Sequence, residues 1–338
     1  MSNYAFKPHI PEYSERYEET QSYSATFNRF HQKLAQRLIE KYHLRNKHVV
    51  EIGCGKGEFL KMICAMGENR GTGFDPGAAA RRPDEEFPES ITFVRDFFST
   101  AYADVNADII ICKMTLEHIH DVGSFLAEIR DCIGDRSGVP VFFQVPDATR
   151  ILKDCAFEDI YYEHCSYFSE ASLRALFARH GFEIDSVSTG FSGQYLTLEG
   201  VSNPSGSGIA PSASCHDLSS LKSLVTEFPR KLAVKQAQWR DHFQHLSAQR
   251  KKTVIWGAAS KAVALMSSVN EAAHVEYGVD INPHKHGFFL PGGALPIVGP
   301  NFLAQYRPDH VIVMNPIYRE EIERHLDDMN LHPVVATL

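Results

Sequence analysis

Residues 159–168 read DIYYEHCSYF and gather Asp159, Glu163, His164, Cys165 and three tyrosines in ten positions. An imidazole titrates near neutral pH, which makes His164 the member best suited to take a proton. Such a base is useful only beside a reactive centre. A second group offers one. In VVEIGCGKGEFL, Gly53, Gly55 and Gly57 lie between an apolar run and a helical run, with Glu51 just before them. Glycine lets a backbone turn tightly and approach a ligand closely. The amides that open the following helix then face that ligand. Asp75 ends the next apolar stretch, in GFDPG. A carboxylate there binds the ribose hydroxyls of either NAD or an adenosyl cofactor. The spacing is G-x-G-x-G, whereas a dinucleotide fingerprint reads G-x-G-x-x-G.

The elements around these groups alternate. Residues 25–43 place Phe27, Phe30, Leu34, Leu38 and Tyr42 at helical spacing. KHVVEIG, RGTGFDP, ITFVRDFF, ADIIICKMT and VPVFFQVPD read as five strands. GEFLKMICAMG reads as a helix closed by Gly67, and DVGSFLAEIRDCIG as a helix with Asp121 as N-cap and Gly134 at its end. A helix capped by Ser169 follows, then one further strand. Residues 201–217 are rich in Ser, Gly and Pro, the composition of a linker. A long helical stretch over 218–250 comes next, which Pro229 is expected to kink or divide. Strand, turn and helix then alternate again. The reading is an α/β fold with a Rossmann-like doubly wound domain and a smaller Rossmann-like α/β domain after it. The expected bounds are 1–45 for an N-terminal segment and helix, 46–200 for the cofactor domain, 201–250 for the connection and 251–338 for the second domain.

At 338 residues the chain is long enough for two domains. The formal net charge is −8 without a long basic block, which argues against nucleic acid or an anionic membrane surface as partner. No apolar run reaches the length that spans a bilayer, and the polar, acidic start is not a signal peptide. Seven scattered cysteines form no C-x-x-C pair. Neither a structural zinc site nor a disulfide framework is expected, and the reading is reduced thiols in a cytoplasm. HKH at 284–286, without an acidic or cysteine partner nearby in sequence, reads as a phosphate-contact turn; no metal is expected.

E-x-G-x-G-x-G followed by Asp75 at a strand end resembles the class I S-adenosyl-L-methionine (SAM) methyltransferases. The resemblance implies SAM as cofactor, with Glu51, Gly53, Gly55 and Gly57 along its methionine part. Asp75 would hold the ribose and Asp96 the adenine region. The loop CKMTLEHI faces the substrate, and Lys113 within it is counted with the cofactor set. FEDIYYEHCSYFS is similar to the F-D-x-I-Y-H-E-H-x-S-Y-F-S signature of the sugar C-methyltransferases, which methylate a carbon next to the ketone of a nucleotide-linked deoxy-sugar. TLEHIHD resembles their L-A-H-x-x-D segment and QSYSATFNRFH their S-x-S…H helix, while GAASKAVAL, VDINPHKHGFFLPGGALPI and PDHVIVMNP resemble their C-terminal domain. By this resemblance His164 is the general base, Glu163 and Tyr161 hold substrate or stabilise an enolate, and His118 polarises the oxyanion. Tyr162 joins the substrate set, and Tyr17 or Tyr23 closes over the site. Lys261, Asn282 and Lys285 hold the nucleotide or phosphate portion. The chain departs from the family in three ways: it lacks the N-terminal C-x-x-C zinc domain, has Tyr162 where the family has His, and has Ala262 where the family has Gly.

The residues leave rival readings open at this stage. An O- or N-methyltransferase of another small metabolite reuses the same frame. An NAD(P)-dependent oxidoreductase or a non-catalytic nucleotide-binding module uses the same kind of turn. The partner expected is a small-molecule acceptor, a nucleotide sugar by the resemblance, and the oligomeric state is left open.

Overall fold

A computed structural model describes residues 1–7, 20–77, 88–204 and 215–338, with the side chains of 215–217 left aside. The chain divides into two compact units that exchange segments: residues 1–17, 29–150 and 162–222 form the first, and 18–28, 151–161 and 223–338 the second. Domain bounds drawn as consecutive blocks miss this exchange, because a hydrophobic pattern reports burial and not which core receives it.

The first part of the chain forms α1 (Ala25–Tyr42), β1 (His48–Ile52), α2 (Glu58–Gly67), β2 (Arg70–Phe74), β3 (Ile91–Val94), β4 (Ile109–Lys113), α3 (Val122–Ile133), β5 (Pro140–Pro146), α4 (Ala148–Asp154), α5 (Glu170–Arg179), β6 (Phe182–Gly190) and β7 (Tyr195–Ser202). The strands form one sheet in the order β3-β2-β1-β4-β5-β7-β6. Pairing is parallel from β3 through β5 and antiparallel at β7. All five residues of β1 are buried, as a central parallel strand with helices on both faces requires. Chain order reverses between β1 and β4, and a doubly wound sheet opens its ligand crevice beyond the carboxyl ends of the strands at that point. One face packs α3 and α5 around Phe143, Phe177 and Leu126. The other packs α1 and α2 around Leu38, Ile63 and Phe142.

Asp121 caps α3 by accepting from Ser124 N at 3.0 Å, and Ser169 and Ser172 make a capping box on α5. Two expectations fail locally. Gly67 lies inside α2, and Glu68 is the left-handed cap at φ 53°; Gly67 is needed there because a Cβ would come within 2.5 Å of Leu44 O. The single strand expected after α5 is a two-stranded hairpin. The first six residues of β7 are all buried, which erases the alternation that announces a strand.

The second part comprises α6 (Cys215–Ala248), β8 (Thr253–Trp256), α7 (Ser260–Ser268), β9 (Tyr277–Val279), β10 (Phe289–Leu290), β11 (Leu295–Val298), α8 (Leu303–Tyr306), β12 (His310–Val313), α9 (Arg319–Asp328) and β13 (Val334–Thr337). The order is β10-β11-β9-β8-β12-β13, parallel except for the small β10–β11 hairpin. α6 runs unbroken through Pro229. Val225, whose carbonyl loses its donor to the proline ring, is exposed, so that carbonyl can be hydrated. No helix among the described residues is long and apolar enough to cross a membrane.

Candidate active site

The glycine turn after β1 is forced by its backbone. Gly53, Gly55 and Gly57 have φ of 68°, 52° and 74°, the left-handed region that side chains resist. Space is equally restrictive, since a Cβ on Gly53 would lie 2.0 Å from Thr115 Oγ1 and one on Gly57 would lie 2.4 Å from the Phe93 ring. Asp75 is tied to this turn, accepting from Gly55 N at 2.9 Å and Gly77 N at 2.7 Å. Glu51 is buried in β1 with one carboxylate oxygen 3.1 Å from Lys113 Nζ. Its other oxygen has no partner. Burial pushes the Glu51 carboxyl above its ordinary range, and the Lys113 ammonium pulls it back. Lys113 also lies 4.0 Å over the Phe59 ring. Asp96 accepts from Tyr102 OH at 2.7 Å and Phe97 N at 2.8 Å. A glycine cradle and an orphaned carboxylate oxygen fit a SAM molecule, whose ammonium would meet Glu51.

The loop after β4 begins at Met114, itself left-handed at φ 51°. It reaches the glycine turn through Thr115 and continues as a single 3-10 turn over Leu116–His118. The signature segment is laid against that turn by two backbone bonds, Cys165 N to Glu117 O at 2.7 Å and Ser166 N to the same oxygen at 3.2 Å. His118 and His164 are thereby brought edge to face, with ring centroids 4.9 Å apart. His164 is buried. Burial lowers His118 to about 4, partly offset by its hydrogen bond to the Glu163 backbone carbonyl, so its ring is neutral at physiological pH. Glu163 itself is exposed, and its carbonyl rather than its carboxylate meets the pair. Tyr162 is exposed too; its ring packs on Phe6 and its hydroxyl accepts from Lys7 N at 3.1 Å.

The remaining expected residues lie in the second unit. Lys261, in the first turn of α7, is ion-paired to Asp159. Tyr161 donates to the same carboxylate at 3.3 Å. Lys285 Nζ lies 3.1 Å from Asp280. Asn282 is buried and accepts from His284 N at 2.9 Å. The Tyr23 ring lies 6.2 Å from His284. Tyr17 falls outside the described residues. The sequence reading supplied HKH with no acidic neighbour, and the structure corrects this: Asp280 takes Lys285, and its carbonyl meets His286 Nε2 at 2.8 Å.

Three residues were missed. Asp280 ends β9 much as Asp75 ends β2, and that parallel was a usable signal. Asp159 lies within the quoted signature. Glu117 stands beside His118 in TLEHIHD, and nothing local marks it as buried. Glu117, His118 and His164 bring one potential ligand atom each within 4.8 Å of one another.

Residues 23–187 match a family described as a methyltransferase domain, and residues 216–332 match the C-methyltransferase C-terminal domain. The chain is a SAM-dependent methyltransferase. It carries in addition the C-terminal domain of the C-methyltransferases and is similar to C-methyltransferase NovU of Streptomyces niveus, 26% identical over 315 residues that cover 86% of this chain and 71% of that one. Similar solved structures include magnesium protoporphyrin IX methyltransferase (ChlM) from Synechocystis PCC 6803 with bound SAH, at 18% identity, 53% of this chain, 84% of that chain and TM-score 0.39. Another is a S-adenosylmethionine dependent methyltransferase from Listeria monocytogenes, at 13% identity, 52% of this chain, 99% of that chain and TM-score 0.39.

Proposed function

We propose that this enzyme methylates carbon alpha to a carbonyl of a nucleotide-linked sugar, with His164 as the general base. The observation that carries the reading is the loop after β4. One end of it meets the glycine turn at Thr115, whose side chain would collide with any side chain at Gly53. The other end sets His118 against His164. Bound SAM supplies an electrophilic methyl on a sulfonium. His164 removes the alpha proton, and His118 stabilises the enolate oxygen, since a weakly acidic C–H needs both a base and an oxyanion partner. Water is kept from the base because His164 is buried.

We assign recognition of the nucleotide to Lys261, Asn282 and Lys285 at the carboxyl ends of the parallel strands of the second unit, with Tyr161 and Tyr23 beside them. Asp159 and Asp280 hold the two ammonium groups in place. The described cysteines are all free and buried, which suits a cytoplasmic enzyme.

Thermal-shift measurements with SAM, S-adenosylhomocysteine (SAH) and NAD, then with dTDP, UDP, GDP and CDP in the presence of SAH, test the ligand classes. Stabilisation by SAH and by one nucleoside diphosphate is expected. His164→Ala should lower turnover by roughly 100-fold or more and keep SAH binding. Near wild-type turnover in that variant removes His164 as base, and a product whose new methyl sits on oxygen or nitrogen by NMR removes C-methylation.

A further inference from the structure

The two histidines have a third companion without a role so far. Glu117 is 1% exposed, and neither of its carboxylate oxygens has a hydrogen-bond partner among the described residues. Glu117, His118 and His164 each offer one ligand atom, and the three atoms lie within 4.8 Å of one another. Among the described residues no other three His, Cys, Asp or Glu side chains come so close. Two imidazoles and a carboxylate are a donor set for borderline divalent ions such as Zn²⁺ and Co²⁺. Spacing in the sequence misses this group, because Glu117 and His118 come from the loop after β4 and His164 from the signature segment.

The surroundings suit a cation in three respects. First, a buried carboxylate without a partner is expensive, and a cation held between the three side chains supplies its counter-charge. Second, His118 is anchored through one ring nitrogen on the Glu163 carbonyl, the kind of bond that ordinarily orients a metal-bound imidazole. Third, the two backbone segments that carry the ligands are already tied together. Cys165 N and Ser166 N donate to Glu117 O at 2.7 and 3.2 Å, and Cys165 Sγ donates to His118 O at 3.2 Å. The side chains therefore need little reorganisation to bind. In the L-A-H-x-x-D segment that this loop resembles, the position of Glu117 is alanine, so the third ligand is a feature of this chain.

We propose that Glu117, His118 and His164 form a binding site for one divalent cation of the Zn²⁺ or Co²⁺ kind, and that the bound cation switches the enzyme off. The switching rests on the reading of His164 as general base, whereas the binding does not. A neutral imidazole has a single lone-pair nitrogen. Once that nitrogen is bonded to a cation, none is left to take the proton from the substrate C–H. Removal of the cation gives the base back.

The binding is tested without an acceptor. The full-length protein, stripped of metal with EDTA, is titrated with Co²⁺ and followed by visible absorption. One Co²⁺ per chain should bind and give the band of a site with nitrogen and oxygen ligands, and Zn²⁺ should displace it and abolish the band. Glu117→Gln, His118→Gln and His164→Gln should each weaken Co²⁺ binding by more than about 100-fold, beyond the roughly 10–100-fold that loss of an outer-shell partner costs. SAH binding by calorimetry shows which variants are folded, and any folded one decides the point. The chain has 17 histidines, so weak surface binding of the same ions accompanies the site. Co²⁺ binding that the folded variants retain unchanged is of that kind and overturns the proposal. With a nucleoside-diphosphate-linked 4-keto deoxy-sugar as probe, saturating Zn²⁺ should slow single-turnover transfer by roughly 100-fold, the share a general base supplies, and EDTA should restore it. In Glu117→Gln, whatever its own rate, the same Zn²⁺ concentration should leave the rate unchanged. Zn²⁺ that binds through the three side chains without slowing transfer overturns the switch and removes His164 as base. Zn²⁺ that speeds transfer overturns the switch in favour of a catalytic cation. If the ketone is not methylated under any of these conditions, the acceptor reading fails, and the cobalt spectra decide the site by themselves.

Discussion

Gly57 combines two separate demands, a φ of 74° and a Cβ position 2.4 Å from the Phe93 ring. Gly57→Ala is therefore expected to cost about 1–3 kcal/mol of stability and to weaken SAH binding, read by thermal unfolding and calorimetry. Gly57→Ala combined with Phe93→Ala should still bind SAH poorly, because removing the ring relieves the collision and leaves the backbone strain. The need for glycine here was legible, since G-x-G-x-G between an apolar strand and a helix announces a tight turn. Phe93 was not legible as the reason, because it comes from a strand that folds back over the turn. His118 and His164 were each legible as chemical residues. Their edge-to-face contact was not, because 46 residues separate them.

At the scale of elements, Lys113 and Glu51 end neighbouring parallel strands, β4 and β1, and their side chains are 9% and 2% exposed. Lys113→Met leaves Glu51 buried without its cation, a loss of about 3–5 kcal/mol where the carboxyl must ionise. The sign follows from Glu51's raised carboxyl. A group whose folded value lies above its unfolded one stabilises at low pH and loses that contribution as pH rises. Lys113→Met should thus be closer to wild type at pH 5 than at pH 8 in urea unfolding, and Glu51→Gln added to it should flatten the difference. A larger deficit at pH 5 would contradict this. Caps were the most legible part of the elements: Asp121 and Ser169 each act within three residues of themselves. The β6–β7 hairpin was the least legible, because complete burial removes the period-two signal.

For the whole molecule, segment exchange has an energetic consequence. In the second unit Glu321 of α9 accepts from Ser24 Oγ at 2.9 Å, Ala25 N at 3.2 Å and Thr26 N at 2.9 Å, which closes the first turn of α1. Lys261 depends on Asp159. Phe157 fills a core with Phe243 and Ile255. A fragment of residues 223–338 lacks every one of these contributions. It should unfold at a lower denaturant concentration than the same unit in the full chain, or fail to fold, as measured by far-UV circular dichroism in urea. A fragment as stable as the intact unit would mean that residues 18–28 and 151–161 add nothing to its core.

The sequence by itself determined two α/β units, the glycine turn, the carboxylates at strand ends and the helix caps. Each of these is written in residues a few positions apart, through backbone dihedral limits and hydrophobic period. Tertiary structure alone decided the partners. Arg37 and Glu199 meet across 162 residues and Ser24 and Glu321 across 297. Glu117 becomes a buried acid because the segment at 164–166 is hydrogen-bonded over it. Burial and charge pairing depend on which distant segments the core brings together, and those quantities set the proton chemistry of the site.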